Sequence, residues 1–305
     1  MSSSGPKKTV RLQGAITALV TPFQPSGEVD DRALRELVRW QVDAGIDGLA
    51  PCGTTGEGAT LTPDEQQRVI EAVVEAAGGR VPVVAGCGTN DTRRTVEGAR
   101  RAEAAGADAL LVVTPYYNKP NPSGMVAHYE AVAAATALPV VVYNVPGRTG
   151  QNLGVDLTLR LSQVPGIVAV KEASGSLEQI AAILEKRREG FAVLSGDDQL
   201  ALPTVALGAE GLISVVSNVA PAETAALLSA ARAGSLDEAR AIHYRLLPLM
   251  RANFLESNPV PVKVALGLLG RCRDAVRPPL GPADPRTVRE MELALAAAGL
   301  ARAAR

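Results

Sequence analysis

The stretch Ala44-Gly45-Ile46-Asp47-Gly48 returns, with variation, as Ala105-Gly106-Ala107-Asp108-Ala109 and as Leu207-Gly208-Ala209-Glu210-Gly211. Each copy closes a segment of helical period and opens a short apolar run. Glycine suits the position just past a helix, because the chain turns there through the left-handed region that a Cβ disfavours. One junction used three times points to one repeated unit, a helix that delivers the chain back into a sheet. Working outward, apolar runs lie at 15–20, 48–50, 81–85, 109–113, 140–143, 167–170, 192–194 and 211–215. Segments of helical period lie between them, among them 30–44, 62–77, 92–105, 123–135, 176–186 and 199–207. Such alternation implies right-handed βαβ units and a parallel sheet. Eight units ending near Ser217 fit an α/β architecture closed as a (β/α)8 TIM barrel. The competing architecture is an open doubly wound sheet, weakened because no GxGxxG follows the first run. The expected division is a loose tail over 1–10, the barrel over 11–232 and a C-terminal helical extension over 233–305, broken by Pro259, Pro261 and Pro278-Pro279.

Bulk composition narrows the function. The chain has 305 residues, 47% of them hydrophobic but only 3% aromatic, which favours packing by small residues. Its 31 basic and 32 acidic side chains nearly cancel, so no electrostatic footprint for nucleic acid or an anionic membrane is expected. Cys52, Cys87 and Cys272 are odd in number and far apart, which suggests reduced thiols and a cytoplasmic setting, without a disulfide framework or zinc ribbon. The first ten residues read as neither a signal peptide nor an anchor, and no later segment is apolar for long enough to span a bilayer. His128 and His243 both fall in helical segments, so an imidazole metal site or a histidine-dependent triad has no support.

The residues with chemical potential follow the apolar runs, where a barrel keeps its active site. The sixth run leads through Val170 into Lys171-Glu172-Ala173-Ser174-Gly175. A lysine carried into an apolar interior loses hydration, is neutral part of the time, and can then attack a ketone to form a Schiff base. On that stretch alone, pairing with Glu172 or another carboxylate is the simpler reading. After the second run, Cys52-Gly53-Thr54-Thr55-Gly56-Glu57-Gly58 can converge amides and hydroxyls on a carboxylate or phosphate, or can be a self-capped polar turn. After the fourth comes Thr114-Pro115-Tyr116-Tyr117-Asn118-Lys119-Pro120, in which Tyr117 could relay a proton or reach across a subunit contact while Tyr116 packs. The fifth ends in Tyr143, either a core aromatic or a participant, and the loop after it carries Arg148, either a solvated loop charge or a guanidinium that grips a carboxylate bidentately. Asp197 and Asp198 after the seventh run are read as helix caps, and the polar junction 256–263 as structural.

Taken together, GTTGE at 53–57, TPYYNKP at 114–120, YNVPGRTG at 143–150, KEASG at 171–175, SGDD at 195–198 and GLISV at 211–215 resemble the dihydrodipicolinate synthase branch of the N-acetylneuraminate lyase superfamily of class I aldolases. The six motifs occur in order from Gly14 to about Gly281. The resemblance implies a barrel with a helical extension, a homotetramer built from two tight dimers, and no cofactor or metal. It implies that Lys171 forms the Schiff base with pyruvate and that Tyr143 is the acid/base beside it, linked through Thr54 to Tyr117 from the adjacent subunit. Thr55 would hold the pyruvate carboxylate and Arg148 the carboxylate of L-aspartate 4-semialdehyde, with Gly196 and Ile213 lining the pocket. The implied product is 4-hydroxy-tetrahydrodipicolinate, on the route to diaminopimelate and lysine.

In some members lysine binds at the tight-dimer interface, at positions corresponding to Gly58, Ala59, Pro63, Gln66, Asn90, Arg94 and Tyr116. Asn90 and Tyr116 fit that pattern, but Gln66 stands where sensitive members often carry histidine and Arg94 where they carry glutamate. An arginine there repels the lysine ammonium, so weak or absent feedback is expected. The rival within the superfamily is a lyase for N-acetylneuraminate or a 2-keto-3-deoxy sugar acid, against which Thr54 and Arg148 both count. A non-catalytic keto-acid sensor is the rival of another class, and the joint presence of Lys171, Tyr143, Thr54 and Tyr117 counts against it.

Overall fold

A computed structural model describes residues 9–300, so most of the expected tail and the last residues of the helical extension lie outside the described residues. Gly45, Gly106 and Gly208 stand at φ of +88°, +88° and +104°, where glycine alone is unstrained. Behind each, two amides close the helix end: Gly45 and Ile46 donate to the carbonyls of Val42 and Gln41, and the other two copies repeat the pair. The fourth residue of the junction has a use that periodicity does not reveal. Asp47 Oδ2 accepts from the Ala15 amide at 2.8 Å, Asp108 Oδ2 from Val83 at 2.9 Å and Glu210 Oε2 from Val193 at 2.8 Å. A carboxylate standing just before one strand thus caps the opening amide of the strand beside it.

Eight strands follow: β1 (Gly14–Ala18), β2 (Gly48–Ala50), β3 (Val84–Gly86), β4 (Ala109–Val113), β5 (Val140–Asn144), β6 (Ile167–Glu172), β7 (Ala192–Ser195) and β8 (Gly211–Ser214). They pair in parallel in the order β2-β1-β8-β7-β6-β5-β4-β3. A bridge from Leu49 to Val83, with the Gly86 amide donating to Pro51 O at 2.9 Å, draws β2 to β3 and completes the (β/α)8 barrel. Outside it run α1 (Asp31–Asp43), α2 (Pro63–Ala77), α3 (Thr92–Ala104), α4 (Pro122–Ala134), α5 (Pro146–Thr149), α6 (Gly154–Ser162), α7 (Leu177–Lys186), α8 (Ala201–Ala206) and α9 (Pro221–Arg232). The C-terminal extension adds α10 (Leu236–Ala252), α11 (Val260–Leu268) and α12 (Pro285–Ala297).

Local chemistry explains most of these starts. Asp30, Asp91, Asn121, Ser176 and Asp284 each cap a helix through the side chain, and Thr62 with Glu65 forms a reciprocal capping box on α2. Two helices escaped the periodicity: α5 and α6 lie between β5 and β6, and Arg148 sits in the four-residue α5 rather than in a loop. Pro259 and Pro261 open α11 instead of breaking a helix, the positions where a missing N–H costs least. Pro248, in contrast, stands inside α10.

The barrel separates two cores. Between sheet and helices lie residues such as Leu49, Leu110, Val142, Ile167, Val170 and Val193, while Ile16, Leu111, Val141, Tyr143, Ala169, Leu194 and Ile213 fill the lumen. One irregularity interrupts this alternation. Along β5 and β6, Val140 pairs with Ile167 but Val141 pairs with Ala169, so β6 carries one extra residue. Val168 and Ala169 both pack with the lumen residues, and the face of every later residue on β6 is inverted.

Candidate active site

The extra residue in β6 decides where Lys171 points. With strict alternation from Ile167, which faces the helices, Lys171 would face them too; after the bulge it enters the lumen in register with Tyr143 on β5. Its ammonium lies 4.3 Å from the centroid of the Tyr143 ring, and the two residues are 5% and 7% exposed. Glu172 is not its partner. That carboxylate faces the other way and accepts from Asn144, Gln179 and the Ser174 amide, so the simpler reading of Lys171 as half of an ion pair fails. Gly196, just past β7, is shaped by the same lysine. A Cβ there would lie 2.6 Å from Ala173 Cβ and 3.1 Å from Lys171 Cε, so only glycine leaves the lysine stem its path. Ile213 on β8 is fully buried in the lumen.

The loop after β2 carries backbone strain at both ends, with Cys52 at φ 58° and Glu57 at φ 53°. Thr55 within it is buried, and its hydroxyl accepts from Asn258 Nδ2 at 2.9 Å. Arg148 Nη2 reaches the backbone carbonyl of the same Asn258 at 3.3 Å. The junction 256–263, read from sequence as structural, therefore reaches the site. Its signal was a polar triplet, Glu256-Ser257-Asn258, between apolar helical segments.

The loop is also held through charge. Lys263 on α11 is fully buried and pairs with Glu57 at 2.5 Å, while Ala275 O accepts a second Nζ hydrogen and the Phe23 ring lies 4.1 Å away. Burial lowers the Lys263 pKa, and the Glu57 charge opposes that. The second Glu57 oxygen accepts from the Arg277 amide, and the Arg277 guanidinium binds Glu65 with both nitrogens, holding that carboxyl down at about 2. Asp198 is likewise not a helix cap: α8 has no side-chain cap, and Asp198 instead accepts from Ser214 Oγ and from the amides of Val215 and Val216. It ties the end of β7 to the end of β8, and burial pushes its carboxyl up to about 6.

A cavity of about 780 Å³ opens at this end of the barrel. Thr54, Tyr143, Arg148 and Asn258 stand in its wall; Lys171, Thr55, Gly196 and Ile213 do not line it, and Tyr143 is the wall residue whose ring the lysine contacts. All seven positions that the family resemblance associates with lysine binding line the same cavity, from Gly58 and Gln66 to Arg94 and Tyr116. Gln66 is engaged there, its Nε2 donating to Gly58 O at 2.7 Å. Cys52 and Cys87 also line it, but burial pushes both thiols up, Cys87 to about 12, so neither is poised as a thiolate nucleophile. Tyr117 is not gathered in. It stands 89% exposed at φ 73°, and among the described residues no hydrogen bond joins its hydroxyl to Thr54 or Tyr143. No three or more His, Cys, Asp or Glu side chains among the described residues gather as a metal site, and no helix among them is long and apolar enough to cross a membrane.

A lysine buried at the C-terminal end of a barrel strand, beneath a tyrosine at the cavity wall, defines a lyase of the class I aldolase type. The model of the Dihydrodipicolinate synthetase family matches residues 11–298, and the chain belongs to that family. It is 50% identical over 290 residues to a 4-hydroxy-tetrahydrodipicolinate synthase of Maridesulfovibrio salexigens, covering 95% of this chain and 99% of the relative. The crystal structure of dihydrodipicolinate synthase from Aquifex aeolicus superposes with a TM-score of 0.92 at 44% identity, over 95% of this chain and 99% of that one. A chloride-inhibited dihydrodipicolinate synthase from Acinetobacter baumannii, solved in complex with pyruvate, gives 0.93 at 40% identity over 95% and 100%.

Proposed function

We propose that the chain condenses pyruvate with L-aspartate 4-semialdehyde to 4-hydroxy-tetrahydrodipicolinate, with Lys171 as the covalent centre. The observation that carries this reading is the Lys171 amine, buried against Tyr143 with no carboxylate partner among the described residues, in a chain about half identical to synthases of that name. Nζ attacks C2 of pyruvate and water leaves, giving a protonated imine. That imine is an electron sink, so loss of a methyl proton yields an enamine, which attacks the aldehyde carbon. The amine of the incoming substrate then displaces Lys171 by transimination and closes the ring.

Tyr143 carries the protons in this scheme. Thr54 lines the cavity with it, and Tyr117 serves the site of an adjacent subunit, a reading supported by its exposure in this chain. Thr55 holds the pyruvate carboxylate and Arg148, at the cavity wall, that of the semialdehyde. Gly196 and Ile213 shape the space around the lysine. The assembly that goes with this scheme is a cytoplasmic homotetramer of two tight dimers, with 11–232 as the barrel and 233–305 as its helical extension.

The test is pyruvate consumption with L-aspartate 4-semialdehyde, beside N-acetylmannosamine and glyceraldehyde as competing acceptors. Strong preference for the semialdehyde is expected, and turnover with a sugar aldehyde alone would move the function to a sugar-acid lyase. Lysine is expected to inhibit weakly or not at all, because Arg94 stands in the cavity wall with Gln66 already engaged. A steady-state titration showing strong inhibition would remove that expectation.

A further inference from the structure

We infer that Asn258 is a positioning residue that sets the polarity of the Thr55 hydroxyl, turning it into a hydrogen-bond donor for the carboxylate of the keto acid. This rests on the reading of Thr55 as the carboxylate holder. Asn258 lies 203 residues further along the chain, in the junction that opens α11, yet its Nδ2 donates to Thr55 Oγ1 at 2.9 Å with both side chains buried. A hydroxyl has one hydrogen and two lone pairs. With an amide N–H seated on one lone pair, and no other partner for Oγ1 among the described residues, the Thr55 hydrogen is left to be given elsewhere. A carboxylate can only accept. An acceptor at position 258 would take that hydrogen and turn oxygen lone pairs toward the substrate anion.

The donor does not hang on a free loop. Its backbone carbonyl accepts from Arg148, and five residues later Lys263 clasps Glu57, two residues beyond Thr55. One segment of the helical extension thus meets the loop at a hydroxyl and at a carboxylate. Asn258 Oδ1 is buried without a hydrogen-bond partner among the described residues, so no other acceptor task there recruits the amide. The side-chain amide is engaged with Thr55.

The experiment traps the imine with sodium borohydride in the full-length chain, using pyruvate and, separately, acetone as a ketone without a carboxylate, and reads the adduct by intact mass. In Asn258→Asp the pyruvate concentration for half-trapping should rise about tenfold to a hundredfold, the range for a hydrogen bond to a charged group, while acetone trapping stays within about twofold. Steady-state KM for pyruvate should rise by the same factor, with kcat falling less. Asn258→Leu, which removes the donor without adding an acceptor, should give a smaller rise, about threefold to tenfold. A folded Asn258→Asp that traps pyruvate as the parent does would overturn the inference, since an amide turned the other way would make aspartate harmless. If Asn258→Asp does not melt cooperatively, Asn258→Leu decides, and an unchanged pyruvate-to-acetone ratio overturns the inference. Failure of the parent chain to be trapped by pyruvate would instead sink the Schiff-base reading itself.

Discussion

Lys171→Ala should lower kcat on the order of 10⁴-fold or more, the scale seen when a covalent nucleophile is removed. Loss of the borohydride-trapped pyruvate adduct should accompany it. The variant should still fold, because Lys171 makes no ion pair among the described residues and its removal strands no buried partner charge there. Lys171→Arg supplies the control: it keeps a cation near Tyr143 but has no amine able to form an imine, and should be equally inactive. Turnover that survives either change would end the imine mechanism.

The second large effect falls on stability. Lys263→Met should destabilise the chain by about 3–5 kcal/mol, because it leaves the Glu57 carboxylate buried without its ion-pair partner, the Arg277 amide being the remaining hydrogen-bond donor to that side chain among the described residues. For a chain of this size the thermal midpoint should drop by roughly 10 °C. Pairing it with Glu57→Gln should restore much of the loss, since the uncompensated charge is then gone. A Lys263→Met melt indistinguishable from the parent would mean that the pair is not what holds the loop.

Much of the barrel was legible because a parallel strand buried on both faces writes itself as a continuous apolar run, and because the glycine after each helix repeats. The strand ends carrying Lys171 and Tyr143, and the loops carrying Thr54, Thr55, Arg148 and Gly196, could be located for the same reason. What periodicity could not show is contact between distant segments. The bond from Asn258 to Thr55 spans 203 residues and the pair Lys263–Glu57 spans 206, so each residue looks ordinary in its own neighbourhood. Asp198 misled for the opposite reason: an aspartate shortly before a helix has a local use, and here the long-range use won. The four-residue α5 is a single turn, too short to show a period.

The bulge between β5 and β6 bears on how such chemistry is gained and lost over generations. Whether Lys171 faces the lumen or the helices depends on whether an odd or an even number of residues separates it from Ile167 on the pleat, and the single extra residue near Val168 sets that count. A one-codon deletion there would conserve every functional side chain and still hide the amine on the wrong face. By the same logic, a one-codon insertion in an inert barrel could carry an outward lysine into the lumen in one step. In this chain the lysine proposed as the covalent centre depends on the length of its strand as much as on its own identity.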